Sequence, residues 1–411
     1  MKAIHQNAGI PDDGYEVLSE VDVDHIGCPK MVAKLTEKTR SERVMFLGDD
    51  TLPQKDFLRI ALEKMDSLPE GWGVVGLNTQ DVHRGEKGNP LPHWLADKRM
   101  LKHIPGGHFF PVEYRHSYPD NELKDIADEL GRWVEAEDAK VIHTHPINAS
   151  AEYDEGYQKA YSDENIIHDQ RVYFQRKRER MTKKYGIKLA IALPLTDKWV
   201  SNEFFFSFLK VLTTFMVKHN DVSVDILAPD YPAHIDDVRN NLVSKAMNIG
   251  STHILFMDTD QIYETPDMIE KLLAHKKPVV ATRVHKRYPP FSPILLRGEL
   301  GKLEIVPDKE IKPDGFEIEL PIEYSGTGCV LISTDILIDM YPEKPFYSKL
   351  DQQDKPIGED IYFFQQLKDR NIPVIADCSI DIPHLTWMAA GWGEWKLFQK
   401  LNFGGIKNGR Q

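Results

Sequence analysis

His253-Ile254-Leu255-Phe256-Met257-Asp258-Thr259-Asp260 is the stretch that decides the fold. Four apolar residues end abruptly in two carboxylates one residue apart. The apolar run has the composition of a strand buried on both faces of an α/β sheet. Such a strand does not continue comfortably into two acids, so Asp258 and Asp260 belong at its C-terminal edge, where open α/β sheets bind ligands. In extended backbone, residues i and i+2 point to the same side. Two hard oxygen ligands then converge on one point, which suits Mg2+ or Mn2+ shared with a diphosphate. Taken alone, the triplet is also compatible with a solvated strand end, so its surroundings matter.

Upstream, Leu189-Ala190-Ile191-Ala192-Leu193-Pro194 reads as a first strand and Val222-Ser223-Val224-Asp225-Ile226-Leu227 as a second. Asp237-Val238-Arg239-Asn240-Asn241-Leu242-Val243 opens a helix before the Asp-x-Asp strand. Downstream come the Gly-rich Ser325-Gly326-Thr327-Gly328-Cys329-Val330-Leu331-Ile332 and the helix start Gly358-Glu359-Asp360. Last is Asp377-Cys378-Ser379-Ile380-Asp381-Ile382-Pro383-His384. In this order, over roughly residues 186 to 390, the segments resemble the family-2-like glycosyltransferases of the GT-A fold. The resemblance implies a nucleoside diphosphate sugar donor and a metal held by Asp258, Asp260 and His384. It places Arg239 near the nucleotide, puts the 325–332 strand on the acceptor side, and makes Glu359-Asp360 the motif that supplies the base.

The residues fit that chemistry on their own terms. A divalent cation would neutralise the charge that develops on a departing diphosphate. Asp360 follows a glycine and precedes the amphipathic run Ile361, Phe363, Phe364, Leu367, so it lies near a helix N-terminus that favours its ionised form. From there a carboxylate can take a proton from an acceptor hydroxyl. Helix capping is the alternative role for Glu359 and Asp360, and a satisfied imidazole the alternative for His384. Asp197 follows the first strand and is placed near the base or ribose. Trp392, with Trp387 and Trp395, offers aromatic faces to sugar or donor, and the spacers Gly391 and Gly393 suggest a loop that closes. Packing of a C-terminal helix is the competing account of these tryptophans.

The 411 residues have room for two or three domains. With 41% hydrophobic and 28% charged residues the chain has the composition of an ordinary globular protein. It contains no long apolar run and no signal-peptide core. Three widely spaced cysteines, Cys28, Cys329 and Cys378, fit a reducing cytoplasm. A formal charge of −13 argues against general nucleic-acid binding. The local basic run Arg176-Lys177-Arg178-Glu179-Arg180 reads as a solvated linker helix, or as a contact to a nucleic-acid backbone.

A second, weaker copy of the plan stands in the N-terminal part. Val44-Met45-Phe46-Leu47-Gly48-Asp49-Asp50 matches Ile254 to Asp260 in shape, and each is followed by a Pro-bearing turn, a helix and an apolar strand. Pro119-Asp120-Asn121-Glu122-Leu123 opens a helix as Glu359-Asp360 does, and Ala139-Lys140-Val141-Ile142-His143-Thr144-His145-Pro146 parallels Ile372-Pro373-Val374-Ile375 and its trailing His384. The expectation is therefore α/β throughout: two GT-A-like domains with mixed, mostly parallel sheets. They are residues 1–147 and 186–390, joined by a helical connector at 148–185 and followed by a tail at 391–411. The first unit has no room for a nucleotide-holding first strand and has Gly48 where the motif wants an acid. It is expected to be incomplete and degenerate, with Asp50 still able to meet a metal, and to serve for an acceptor, a partner subunit or its sister domain.

The expected function is a cytoplasmic, Mn2+- or Mg2+-dependent glycosyl transfer to an acceptor hydroxyl, with inversion. Glycan, protein, lipid head group, small molecule and modified DNA base all remain open as acceptors. One alternative is a nucleotidyltransferase, although Pro194-Leu195-Thr196-Asp197-Lys198 lacks the Gly-rich phosphate loop such an enzyme shows. Another is a non-catalytic scaffold that binds sugar or nucleotide.

Overall fold

Ile254, Leu255, Phe256 and Met257 are fully buried, in a strand with a neighbour on each side, as an unbroken apolar run requires. The computed structural model describes residues 2–79, 92–146, 150, 152–196, 199–307, 309–311, 319–350, 354 and 356–386. The chain divides into two compact units, Met1–Arg180 and Met181–Gln411. Both are mixed α/β, with helices packed on mixed sheets that contain parallel pairs. No described helix is long and apolar enough to cross a membrane.

The first unit runs α1 (Lys2–Asn7), α2 (Cys28–Lys38), β1 (Arg43–Phe46), β2 (Thr51–Pro53), α3 (Phe57–Ser67), β3 (Val74–Asn78), β4 (Trp94–Asp97), α4 (Pro119–Glu129) and β5 (Trp133–His143). Then come α5 (Glu155–Ala160) and α6 (Asp163–Tyr185). Its sheet has the order β1-β4-β3-β5-β2. Phe57, Leu58, Ala61 and Met65 fall on one face of α3, by helical spacing, and pack on Val75, Leu77 and Leu95. Trp94, Phe109, Phe110, Leu123 and Ile126 form a second cluster.

Helix α6 is clamped to the first unit rather than solvated. Asp169 is fully buried and accepts from the backbone N–H groups of Arg115, His116 and Ser117 at 2.7–2.8 Å. The Arg176 guanidinium donates to Glu122 at 2.8 Å and to Glu113 at 3.0 Å. Arg180 donates to Glu122 at 2.7 Å, and Lys177 to Asp125 at 2.7 Å. These members of the basic run are committed to the buried Glu122 and to Glu113 and Asp125 beside it, which leaves them little charge to offer a nucleic-acid backbone.

The second unit runs β6 (Lys188–Ala192), α7 (Asn202–Lys218), β7 (Ser223–Leu227), α8 (Ile235–Asn248), β8 (His253–Met257), α9 (Met268–Ala274) and β9 (Val279–Val284). After these come β10 (Leu295–Arg297), β11 (Glu304–Ile305), β12 (Glu319–Ile322), β13 (Tyr324–Ser325), β14 (Cys329–Ser333) and α10 (Thr334–Met340). The hairpin β15 (Lys349–Leu350) and β16 (Pro356–Ile357), then α11 (Glu359–Asp369) and β17 (Val374–Ile382), complete it. Its main sheet has the order β12-β17-β9-β14-β8-β6-β7. Strands β6, β7 and β8 are mutually parallel, so their C-terminal ends share one edge. β14 is antiparallel between β8 and β9. A small sheet, β11-β10-β13, stands apart.

Four strands of each sheet agree in order and sense. β1-β4 and β4-β3 are antiparallel and β3-β5 parallel. β8-β14 and β14-β9 are antiparallel and β9-β17 parallel. Both parallel pairs also carry the same irregularity. Leu77–Asn78 faces Ala136 and then Lys140, while Thr282–Arg283 faces Asp377 and then Asp381. Finally, Thr51 pairs with His143, and Gln261 bridges to His384.

Candidate functional site

The Asp258 N–H donates to the Gly328 carbonyl at 2.7 Å and carries the β8–β14 pairing one residue past Met257. The Tyr263 hydroxyl donates to the Asp258 carbonyl at 2.9 Å and fixes the turn. The two acids then leave the extended register. Both line one cavity of about 370 Å3 at the strand edge, together with Thr196, Arg239, Gln261, Arg287, Thr327, Glu359, Asp360 and His384. The carboxylates of Asp258 and Asp260 have separate partners.

Arg239 sits in α8 and is buried. It donates to both Asp258 oxygens at 3.0–3.1 Å and pairs with Glu359 at the start of α11. Burial works against its charge, but Asp258 and Glu359 outweigh it and hold its pKa above the ordinary arginine value. The neighbouring Asn240 is a structural clamp. Its side chain donates to the Phe346 carbonyl at 2.7 Å and accepts from the Phe346 N–H at 3.2 Å.

Asp260 faces His384 Nε2 across 3.4 Å and is paired with Arg287. Burial raises the Asp260 pKa, but His384 and Arg287 more than reverse this, and it lies below the usual carboxylate range. His384 Nδ1 donates to the His285 carbonyl at 2.8 Å, which turns Nε2 toward Asp260. Burial lowers the His384 pKa, yet the bonds to Asp260 and His285 carry it above the ordinary histidine value. A proton and a cation therefore compete for Nε2.

Asp360 lies in the first turn of α11. A Cβ at Gly358 would stand 2.9 Å from Asp360 Oδ1, so the glycine makes room for this carboxylate. The expectation was that the helix start would favour the ionised form, and Oδ1 does accept from the Ile361 N–H at 2.7 Å. Burial dominates, however, followed by the charge of Glu359, and the Asp360 pKa is pushed up to about 6.

The structure thus brings together Arg239, Asp258, Asp260, Glu359, Asp360 and His384. Asp197, Trp387, Trp392 and Trp395 lie outside the described residues. Sequence reasoning missed Arg287, which pairs with Asp260 and donates from Nε to His384 Nε2 at 3.1 Å. It also missed Gln261, whose buried amide fits only because Gly328 has no side chain. A Cβ there would stand 2.0 Å from Gln261 Nε2.

No family model matches the chain. Among solved structures, the chain is similar to a protein from STIV, 18% identical, over 49% of this chain and 86% of that one with a TM-score of 0.32. It is also similar to HddC from Yersinia pseudotuberculosis complexed with GMP-PN, 13% identical, over 53% and 100% with a TM-score of 0.25. Among curated proteins it is similar to the mannan polymerase complex subunit MNN9 of Candida albicans, 28% identical, over 30% of this chain and 45% of that protein. The chain thus spans less than half the length of that relative.

Proposed function

We propose that the second unit is a metal-dependent glycosyltransferase of GT-A type and that the first is its degenerate tandem copy. The observation that carries the proposal is the convergence of Arg239, Asp258, Asp260, Glu359, Asp360 and His384 on one cavity at the C-terminal edge of parallel strands. Partial similarity to a mannan polymerase complex subunit supports a sugar-transferring role. The shared strand order, sense and irregularity support the tandem reading.

Asp260 and His384 fit a divalent cation as a pair, since a carboxylate oxygen and an imidazole nitrogen already face each other at 3.4 Å. Asp258 lies in the same turn, with its carboxylate held by Arg239. The cation, Mn2+ or Mg2+, would supply charge stabilisation for a leaving nucleoside diphosphate. Arg287 is 60% exposed at its side chain and stands over Asp260. It is a cation placed to reach donor phosphates, and in doing so it would release Asp260. Arg239, buried between Asp258 and Glu359, organises the floor of the site. Asp360, with its pKa of about 6, is ionised at neutral pH and basic enough to accept the acceptor hydroxyl's proton. That base role implies inversion.

Thermal denaturation of the full chain with nucleoside diphosphates and Mn2+ tests the proposal. One nucleoside diphosphate should raise Tm in the presence of Mn2+, and Asp258→Asn should abolish the rise. No stabilisation by any of them would contradict it.

A further inference from the structure

We propose that the first unit carries a transition-metal site of its own, built from Asp50, His93 and His143. One ligand atom from each residue lies within 4.8 Å of the other two. Asp50 Oδ2 and His143 Nε2 are 3.2 Å apart, close to the roughly 3.3 Å between two ligand atoms on tetrahedral zinc at Zn–N of about 2.0–2.1 Å. The His93 and His143 rings meet edge to face at 5.0 Å. His93 Nδ1 accepts a long hydrogen bond from the Gly48 N–H at 3.4 Å.

One ligand ends a strand and the other two adjoin strands directly. Asp50 immediately precedes β2, and Thr51 pairs with His143 at the end of β5. His93 immediately precedes β4, and its carbonyl accepts from the Leu77 N–H at 2.9 Å. The Tyr157 hydroxyl donates to Asp50 Oδ2 at 3.0 Å and orients it. A Cβ at Gly48 would stand 2.4 Å from Asp50 Oδ1, so the glycine in place of the motif's first acid clears space for this carboxylate.

The donor set differs from that of the second unit. By strand pairing, Trp94 opposite Phe46 matches Val330 opposite Phe256. The place of His93 is therefore taken in the second unit by Cys329, whose buried thiol belongs to the core. Two imidazoles with one carboxylate favour borderline ions such as Zn2+ or Co2+ over Mg2+ or Mn2+. Three protein ligands leave a fourth position for water. The site is independent of glycosyl transfer by the second unit.

The test is Co2+ titration of the full chain, followed by visible d–d absorption and by metal content after dialysis. Asp258→Asn/Asp260→Asn serves as the background, so that the second unit's acids do not contribute. One tightly bound equivalent is expected, displaceable by Zn2+. His93→Ala, His143→Ala and Asp50→Asn should each weaken binding by about 100-fold or more, and Tyr157→Phe by about tenfold, the usual effect of a residue behind a ligand. No tight binding, or equal affinity in His93→Ala, overturns the proposal. Should His93→Ala fail to fold by circular dichroism, a zinc-edge anomalous map of the unsubstituted protein decides. A peak among the three side chains supports the site, and none with Zn2+ in excess overturns it.

Discussion

Asp360 shows how one residue's environment can be read only in part from sequence. The Gly-Glu-Asp turn placed it at a helix start, and it is there. Its desolvation depends on the cavity wall and on Glu359 and could not be read from local sequence, so the expected depression of its pKa is a rise to about 6. As a base it works ionised, so turnover should climb with pH through about 6 and then level off. Asp360→Asn should lose about 10²–10⁴-fold in rate while donor affinity survives. Linkage gives a second readout. The folded pKa lies above the ordinary 3.8, so this group's stabilisation is complete below that value and is lost as pH rises through about 6. Asp360→Asn should flatten that part of the stability–pH curve, and an unchanged slope would count against the assignment. Arg287 left no trace in the sequence, because His285-Lys286-Arg287-Tyr288 has no periodicity to place it. Arg287→Ala should raise donor KM by about 10–100-fold, the equivalent of one charge-assisted bond. Because the side chain is largely exposed, Tm should hardly move.

Among the elements, β8 was the most legible, since an apolar run closed by acids admits few arrangements. Helix α6 was the least. Its basic run looked solvated because the acid that takes it up, Glu122, is 54 residues away from Arg176, and no local pattern encodes such a pairing. Glu122 is fully buried and accepts from Arg176, Arg180 and the Tyr114 hydroxyl at 2.7–2.9 Å. Removing its charge leaves two buried guanidinium groups underpaired. Glu122→Gln should therefore cost about 3–5 kcal/mol in chemical denaturation. A loss within experimental error would mean that the clamp is incidental to the first unit's stability.

In the whole molecule, the α/β class was legible because apolar segments alternate with amphipathic ones. The matching register of β3-β5 and β9-β17 was not, because an irregular strand has no sequence signature of its own. If the units are a working domain and a degenerate copy, donor binding should follow the second alone. Asp258→Asn should then lose nucleotide-sugar binding in calorimetry of the full chain, and Asp50→Asn should keep it within about twofold, as independent sites do. The most direct measurement of the central claim is product identity. The full chain is incubated with a panel of nucleoside diphosphate sugars, with Mn2+ or with EDTA. Release of nucleoside diphosphate from one donor, lost in EDTA and in Asp260→Asn, is the predicted result. Failure to turn over any donor, or formation of pyrophosphate from a nucleoside triphosphate and a sugar phosphate instead, would contradict it.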